Sequence, residues 1–308
     1  MSELLTSATS AGPPSAQRPP VEPAPAVHEG TGRRVRRAAR SLARSPGLVL
    51  SVLLLAVVLV SAVFPTLFTS QDPLSGVPRD RLRGPSAAHL FGTDQLGRDL
   101  FSRVVHGSAL SLQATALAVA VGLVVGSLLG LLAGYLGGRV DDVLMRLADV
   151  LLAIPNLLLS LAVVTALGFG TVKVAIAVGV ASVASFARVM RSEVLRVRGA
   201  VYVEAARSSG SRWFSVLARH VLPNASGPVL VYAAVDFGAV VLQVSALSFL
   251  GYGAVPPAPE WGALVSGGRD YLATAWWLTT LPGLTIAATV LATNRISRAL
   301  DGEGGQTR

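Results

Sequence analysis

The 308-residue chain has no cysteine and a single lysine, and only 14% of its residues are charged and 6% aromatic. Without cysteine there is no disulfide, no thiolate metal site and no cysteine nucleophile. Its four histidines, at 28, 89, 106 and 220, are scattered and form no HExxH pair, which argues against a zinc hydrolase and leaves no metal site to expect. A nucleotide phosphate loop needs GxxxxGK followed by Ser or Thr. The only lysine, Lys173, follows Thr171-Val172 rather than glycine, so the chain carries no such loop. The scarcity of charge is the most telling deficit, because a soluble chain has about 25% charged residues.

What the chain has instead is apolar surface. Hydrophobic residues make up 52% and the mean hydropathy is +0.58. Length alone suggests about two soluble domains, but this composition points to an integral membrane protein with lipid as its surroundings. The net charge is +9, from 26 Lys+Arg against 17 Asp+Glu. A basic balance can mark a nucleic-acid partner, but few aromatics and long apolar runs exclude a groove-reading domain.

Residues 1–30 hold six prolines among Ser, Ala and Thr, a composition that cannot offset its ordering entropy, and predict a disordered tail. Arg33, Arg34, Arg36, Arg37, Arg40 and Arg44 follow, so residues 1–45 read as a Pro-rich and basic tail. The run from Gly47 to Phe68 is too long and too far from Met1 for a cleaved signal peptide, and residues 46–68 read as a first span. About 20 apolar residues cross a bilayer. Five further stretches meet that requirement: 111–136, 145–168, 171–190, 225–250 and 274–294. The expectation is therefore an all-α, polytopic protein of about six transmembrane helices. Residues 69–110 form an external loop, 111–294 a core containing a cytoplasmic loop at 191–224, and 295–308 a C-terminal tail. Arg146, Asp149 and Pro155 interrupt the third stretch, and Pro155 predicts a kink.

Basic residues orient the spans. With a cytoplasmic N-terminus, the inside segments hold 19 of the 26 Lys+Arg, and the outside segments hold the other seven. Six spans then place both termini in the cytoplasm.

Gly122, Gly126, Gly130 and Gly134 recur every four residues, so they share one helix face where another backbone can approach. Their partner is either another span of this chain or a second subunit. The segment from Ser192 to Asn224 reads as two short helices outside the membrane: Ala200 to Ser209, a break at Gly210, then Ser211 to Val221 ended by Pro223. Ser211 is placed to cap the second helix. On pattern alone, this loop is either a solvated basic loop or a helix–turn–helix shaped for a soluble partner.

Three motifs carry a family resemblance. Glu204-Ala205-Ala206, Gly210 and Leu222-Pro223 resemble the EAA loop of ABC importer permeases, with Arg219-His220-Val221 before the Leu-Pro. Phe91 to Asp99, followed by Ser102-Arg103, resembles the GTDxxGRDxxSR stretch of the oligopeptide, dipeptide and nickel branch. Leu247 to Gly253, with Pro256-Pro257 and Glu260-Trp261-Gly262, resembles its LSFLGxG, PP and WG region. The chain departs from that branch at Ala109, where Arg is frequent, at Val244, where Glu is frequent, and after Asn294, where a Gly-Asp pair is common. The resemblance implies a type I importer permease in a bacterial inner membrane, with a second permease subunit, two cytoplasmic ATP-binding subunits and an external substrate-binding protein as partners. ATP is then used by the partners and no cofactor is bound by this chain. Glu204, Ala205, Ala206, Gly210, Leu222 and Pro223 become the ATPase-coupling surface, and the solute a peptide or a nickel complex. The residue types suit that role: the alanines permit close packing, Gly210 a sharp turn, and Glu204 a basic partner or a pair with Arg207.

Asp94 to Asp99 superficially resembles a calcium loop, but Leu96 occupies a ligand position and the closing Glu is missing, so the segment reads as a turn and helix cap. Polar groups within spans are costly and are functional candidates. Asp236 and Gln243 share a face of the fifth span, and Asn156 and Ser160 a face of the third. They read either as the lining of a translocation path or as interhelical hydrogen-bonding groups. The alternative function is an ion-gradient-driven transporter, for which internal repeats and several buried carboxylates are expected. A membrane-embedded enzyme is weaker still, since no metal or paired-carboxylate constellation lies in the spans.

Overall fold

The computed structural model describes residues 46–305, with side chains through residue 299; the expected disordered tail of residues 1–45 lies outside them. The described residues contain no strand, only helices: α1 Pro46–Val63, α2 Leu100–Leu136, α3 Gly138–Leu152, α4 Asn156–Leu167, α5 Thr171–Arg198, α6 Val201–Ser208, α7 Trp213–Phe249, α8 Trp261–Gly268 and α9 Trp277–Gly305. Four of them (α1, α2, α5 and α7) are long and apolar enough to cross a membrane, and a fifth span is reached if α3 and α4 count together. The expected sixth stretch is a helix, α9, but threonines at 279, 280, 285, 289 and 293 and Pro282 keep it below that apolar threshold. It also runs past residue 294 to Gly305, so no break separates it from the anticipated tail.

Other boundaries move for identifiable reasons. The second span starts at Leu100 rather than 111, because Asp99 caps it by accepting a hydrogen bond from the Ser102 amide at 2.7 Å. The external loop is shorter accordingly. The turn-and-cap reading of residues 94–99 therefore holds. The third stretch forms two helices, α3 and α4, and makes a span only if this bent pair is taken together. Its helices meet at 94° across Ala153–Pro155, where Pro155 is extended and has no N–H to continue the ladder. α3 is amphipathic, and its charges bind α5 through Arg191–Asp141 (2.6 Å) and Arg188–Asp149 (2.5 Å). The fourth stretch, α5, continues to Arg198.

The centre of the fold is the α2–α5 pair, the most extensive helix contact among the described residues. Gly122, Gly126, Gly130 and Gly134 are all buried at this seam. A Cβ at Gly130 would collide with the Ala187 carbonyl and lie 2.9 Å from the Met190 Cβ; one at Gly134 would lie 2.9 Å from the Val194 Cβ. Gly179 on α5 answers from the other side, lying against Ala118 and Val121. The partner of the glycine face is thus a helix of the same chain. Val174, Val178, Phe186 and Val194 of α5 join Val229, Val240 and Val244 of α7 in one buried cluster.

A second cluster forms around Leu100, Trp261, Trp277 and Leu278. Here the two loop motifs interlock. The Trp261 amide donates to Ser111 Oγ at 3.1 Å and its indole to the Val104 carbonyl at 2.9 Å, while the Trp277 indole donates to the Thr93 carbonyl at 3.2 Å. Glu260 is buried, and its carboxylate accepts from Ser248 Oγ and from the Ala254 amide, both at 2.6 Å.

Gly130→Leu is expected to destabilise the chain by about 2 kcal/mol through overpacking. Gly227→Ala, where an added Cβ meets nothing within 4 Å, should be neutral or mildly stabilising. Thermal unfolding of the detergent-purified variants distinguishes the two. By the same measurement, Glu260→Ala should cost about 2 kcal/mol by orphaning the buried Ser248 hydroxyl and the half-buried Ala254 amide, and Glu260→Gln less.

Candidate functional site

The segment carrying the Glu204–Pro223 motif begins where α5 ends. Arg198 donates through Nη1 to the Gly134 carbonyl at 3.0 Å and the Tyr135 carbonyl at 3.2 Å, capping the C-terminus of α2 from the end of α5. α6 then turns its Val203 inward, where it packs with Val194 and Val197 of α5 and with Val216 and Val221 of α7. Ala206 packs against the same cluster, while Glu204 and Ala205 are exposed. Gly210 has φ +81°, and a Cβ there would meet nothing within 4 Å. Its requirement is therefore for a left-handed backbone and not for space. The turn reverses the chain into α7.

Two local expectations fail. Arg212, not Ser211, is the N-cap residue, and no side chain caps the helix. Pro223 does not end a helix. The chain makes a π turn over Leu217–Val221, in which the Leu222 amide reaches back to the Leu217 carbonyl, and α7 passes through Pro223 without interruption. A proline is tolerated inside such a helix when a local π adjustment and side chains satisfy the freed carbonyls. Beside it, Asn224 donates Nδ2 to the His220 carbonyl at 2.6 Å.

The outward face is apolar and aromatic. Val201 is 82% exposed, Trp213 62% and Phe214 64%, and Tyr202 is also open. Tyr135, at the end of α2, ties the patch together: its hydroxyl donates to the Trp213 carbonyl at 2.9 Å, and the Arg207 guanidinium lies 5.3 Å from its ring centroid. Arg207 is therefore held by Tyr135, and Glu204 has no ion pair among the described residues. Exposed apolar patches of this kind occur at protein–protein contacts, among other places. Sequence reasoning located the helix and its glycine but missed Val201, Tyr202, Trp213 and Phe214. Two adjacent aromatics in a basic loop between spans were the available signal.

The four path candidates are not brought together in any of the three cavities described in this structure. Asp236 Oδ2 and Gln243 Oε1 on α7 are buried atoms with no hydrogen-bond partner. Asn156 opens α4, and Ser160 is fully buried, with its hydroxyl donating to the Asn156 carbonyl at 2.6 Å. Ser160 therefore spends its polar group on its own helix.

Comparison with known proteins agrees with this architecture. A family model described as "binding-protein-dependent transport system inner membrane component" matches residues 126–302. The dipeptide transport system permease protein DppC of Alkalihalophilus pseudofirmus is 36% identical over 265 residues, covering 86% of this chain and 87% of that protein. The di/tripeptide transport system permease protein DppC of Pseudomonas aeruginosa is 39% identical over 267 residues (85% and 88%). The glutathione transport system permease protein GsiD of Shigella flexneri is 42% identical over 251 residues (81% and 83%). Among solved structures, one chain of an amino acid ABC transporter with histidines shares the fold at a TM-score of 0.51 and 16% identity, covering 65% of this chain and 94% of that one. None of these relatives supports an ion-gradient-driven transporter. With its helical core, its short helix between two spans and these relatives across most of its length, the chain belongs to the binding-protein-dependent transport system inner membrane components, the permease subunits of ABC importers.

Proposed function

We propose that this permease subunit forms part of the path for a short peptide and that α6 with the Trp213–Phe214 pair is its docking surface for a cytoplasmic ATP-hydrolysing subunit. The observation that carries the reading is the exposed apolar patch around Glu204, packed through Val203 onto α5 and α7. Peptide as solute rests on the relatives named for dipeptide, di/tripeptide and glutathione transport. ATP hydrolysis falls to other polypeptides, since the chain lacks a phosphate loop. The assembly would pair this chain with a second permease subunit and two ATP-binding subunits, supplied by an external substrate-binding protein. Both termini would face the cytoplasm, consistent with the excess of arginine in the segments assigned inside.

The mechanism follows from differential binding. A partner that holds α6 in two positions, one with and one without bound ATP, biases the permease by the difference in its contacts. Val203, Val216 and Leu217 belong to the same buried cluster as Val194 and Val229, so movement of α6 carries the ends of α5 and α7 with it. The π turn supplies a place where the helix can change register while keeping its backbone bonded. Asp236 and Gln243, which lack partners within this chain, are proposed to line the path or to meet the second permease subunit.

Glu204→Lys should leave membrane insertion intact and lower substrate-stimulated ATP hydrolysis of the reconstituted transporter by about tenfold, equal to about 1.4 kcal/mol of coupling. Gly210→Val should do the same by straining the left-handed turn. Full stimulated hydrolysis in both variants would remove the coupling assignment. The peptide assignment is checked separately: di- and tripeptides should stimulate hydrolysis in the wild-type assembly containing the binding protein, and nickel complexes should not.

A further inference from the structure

A cavity of about 140 Å³ lies between residues 94–103, at the head of α2, and residues 254–268, around α8. Its walls include Asp94, Gln95, Arg98, Arg103, Pro257 and Gly268. Two guanidinium groups and one carboxylate share this small space, and both arginines are more than nine-tenths buried, at 8% and 5% exposure. The neighbouring acidic groups are committed elsewhere. Glu260 serves Ser248 and Ala254, and Asp99 serves the Ser102 amide and His89 Nδ1. The site therefore holds one positive charge in excess, in surroundings where an uncompensated charge is costly.

The donors are also in excess. Arg98 gives its Nε to Asp94 Oδ2 at 2.7 Å, and its two amino groups meet no acceptor among the described residues. Arg103 donates Nη1 to the Pro73 carbonyl at 2.8 Å and Nη2 to the Pro257 carbonyl at 3.4 Å. Its Nε is buried with no hydrogen-bond partner, and Asp94 Oδ2 stands 3.6 Å away. The missing component is an acceptor-only group with one negative charge. A carboxylate meets that description, and its two oxygens match the planar fork of a guanidinium. Ala254, Pro256, Ala263, Leu264 and Leu278 provide an apolar lining for the carbon atoms attached to it. The volume is close to the roughly 150 Å³ that holds one benzene molecule, room for a carboxylate and a few carbons.

We propose that this cavity, between the head of α2 and α8, is a binding site for the carboxylate end of a small solute, held by Arg98 and Arg103. The site is separate from the coupling surface and stands whether or not short peptides are the transported solute, because binding is measured without ATP or turnover.

Glycylglycine is the probe, with glycylglycine amide and sodium chloride as controls at equal ionic strength. The full chain, tagged and assembled with its transporter partners in lipid nanodiscs, is heated without nucleotide or binding protein, and its own loss from solution is followed by the tag. Glycylglycine at tens of millimolar should raise the midpoint by about 2 °C, and neither control should. Arg98→Gln should abolish the rise. Because Arg98 also pairs with Asp94, Gln95→Glu provides a second variant: it keeps that pair, sits at a half-buried position, and places a rival carboxylate on the cavity wall. It too should abolish the rise. No rise with glycylglycine, an equal rise with the amide or with chloride, or a full rise in Gln95→Glu would overturn the proposal.

Discussion

The structure depends on one close approach, that of α2 and α5 along their glycine face. In a bilayer the neighbouring lipid is as apolar as a side chain, so helices gain little by merely burying hydrophobic surface against each other. They associate through packing that lipid cannot match. Gly122, Gly126, Gly130 and Gly134 on one side and Gly179 on the other bring backbone against backbone, with the Ala187 and Ala118 carbonyls among the nearest atoms. α7 packs onto both members of the pair, and α3 is tied to α5 by two ion pairs. α6 hangs from the end of the same seam, secured by the Arg198 contacts to Gly134 and Tyr135.

A different chemistry holds the other end of α2. There the first three turns carry Ser102, Arg103, His106, Ser108 and Ser111, and the chain uses them as attachment points for distant loops. Ser102 donates to the Gln71 carbonyl at 2.6 Å, Ser108 meets Ser61 of α1 at 3.1 Å, and Ser111 receives the Trp261 amide. One helix is thus joined by steric fit at its glycine half and by directed hydrogen bonds at its polar half. The first permits sliding only if the whole face moves. The second fixes loops of high sequence separation in a single arrangement.

These two halves also explain what the sequence revealed. The glycine repeat was legible because its spacing is geometric, but nothing in the spacing says which helix it meets. The polar half was missed as helix: Arg103 and His106 lower the local hydropathy, and the burial of Arg103 rests on the carbonyls of Pro73 and Pro257, far away in sequence. Pro155 and Gly210 were readable because their backbone restrictions are intrinsic to the residue. Pro223 misled for the converse reason. Its missing N–H normally closes a helix, and here a π turn just ahead of it, not visible in a propensity pattern, lets the helix continue. The short helix and turn after α5 were legible through Glu204 and Gly210, while the exposed aromatic pair beside them was not, since exposure of Trp213 and Phe214 is a tertiary property.

The π turn has a consequence for aim. An α-helix advances about 100° per residue, and one extra residue in a single turn offsets everything before it by roughly that angle. Trp213 and Phe214 lie just ahead of this turn, and the long membrane-facing part of α7 lies just behind it. The direction in which the aromatic pair points is therefore uncoupled from the face that α7 must bury against α2 and α5. Packing of the core and orientation of the exposed aromatic pair are set independently on one continuous helix.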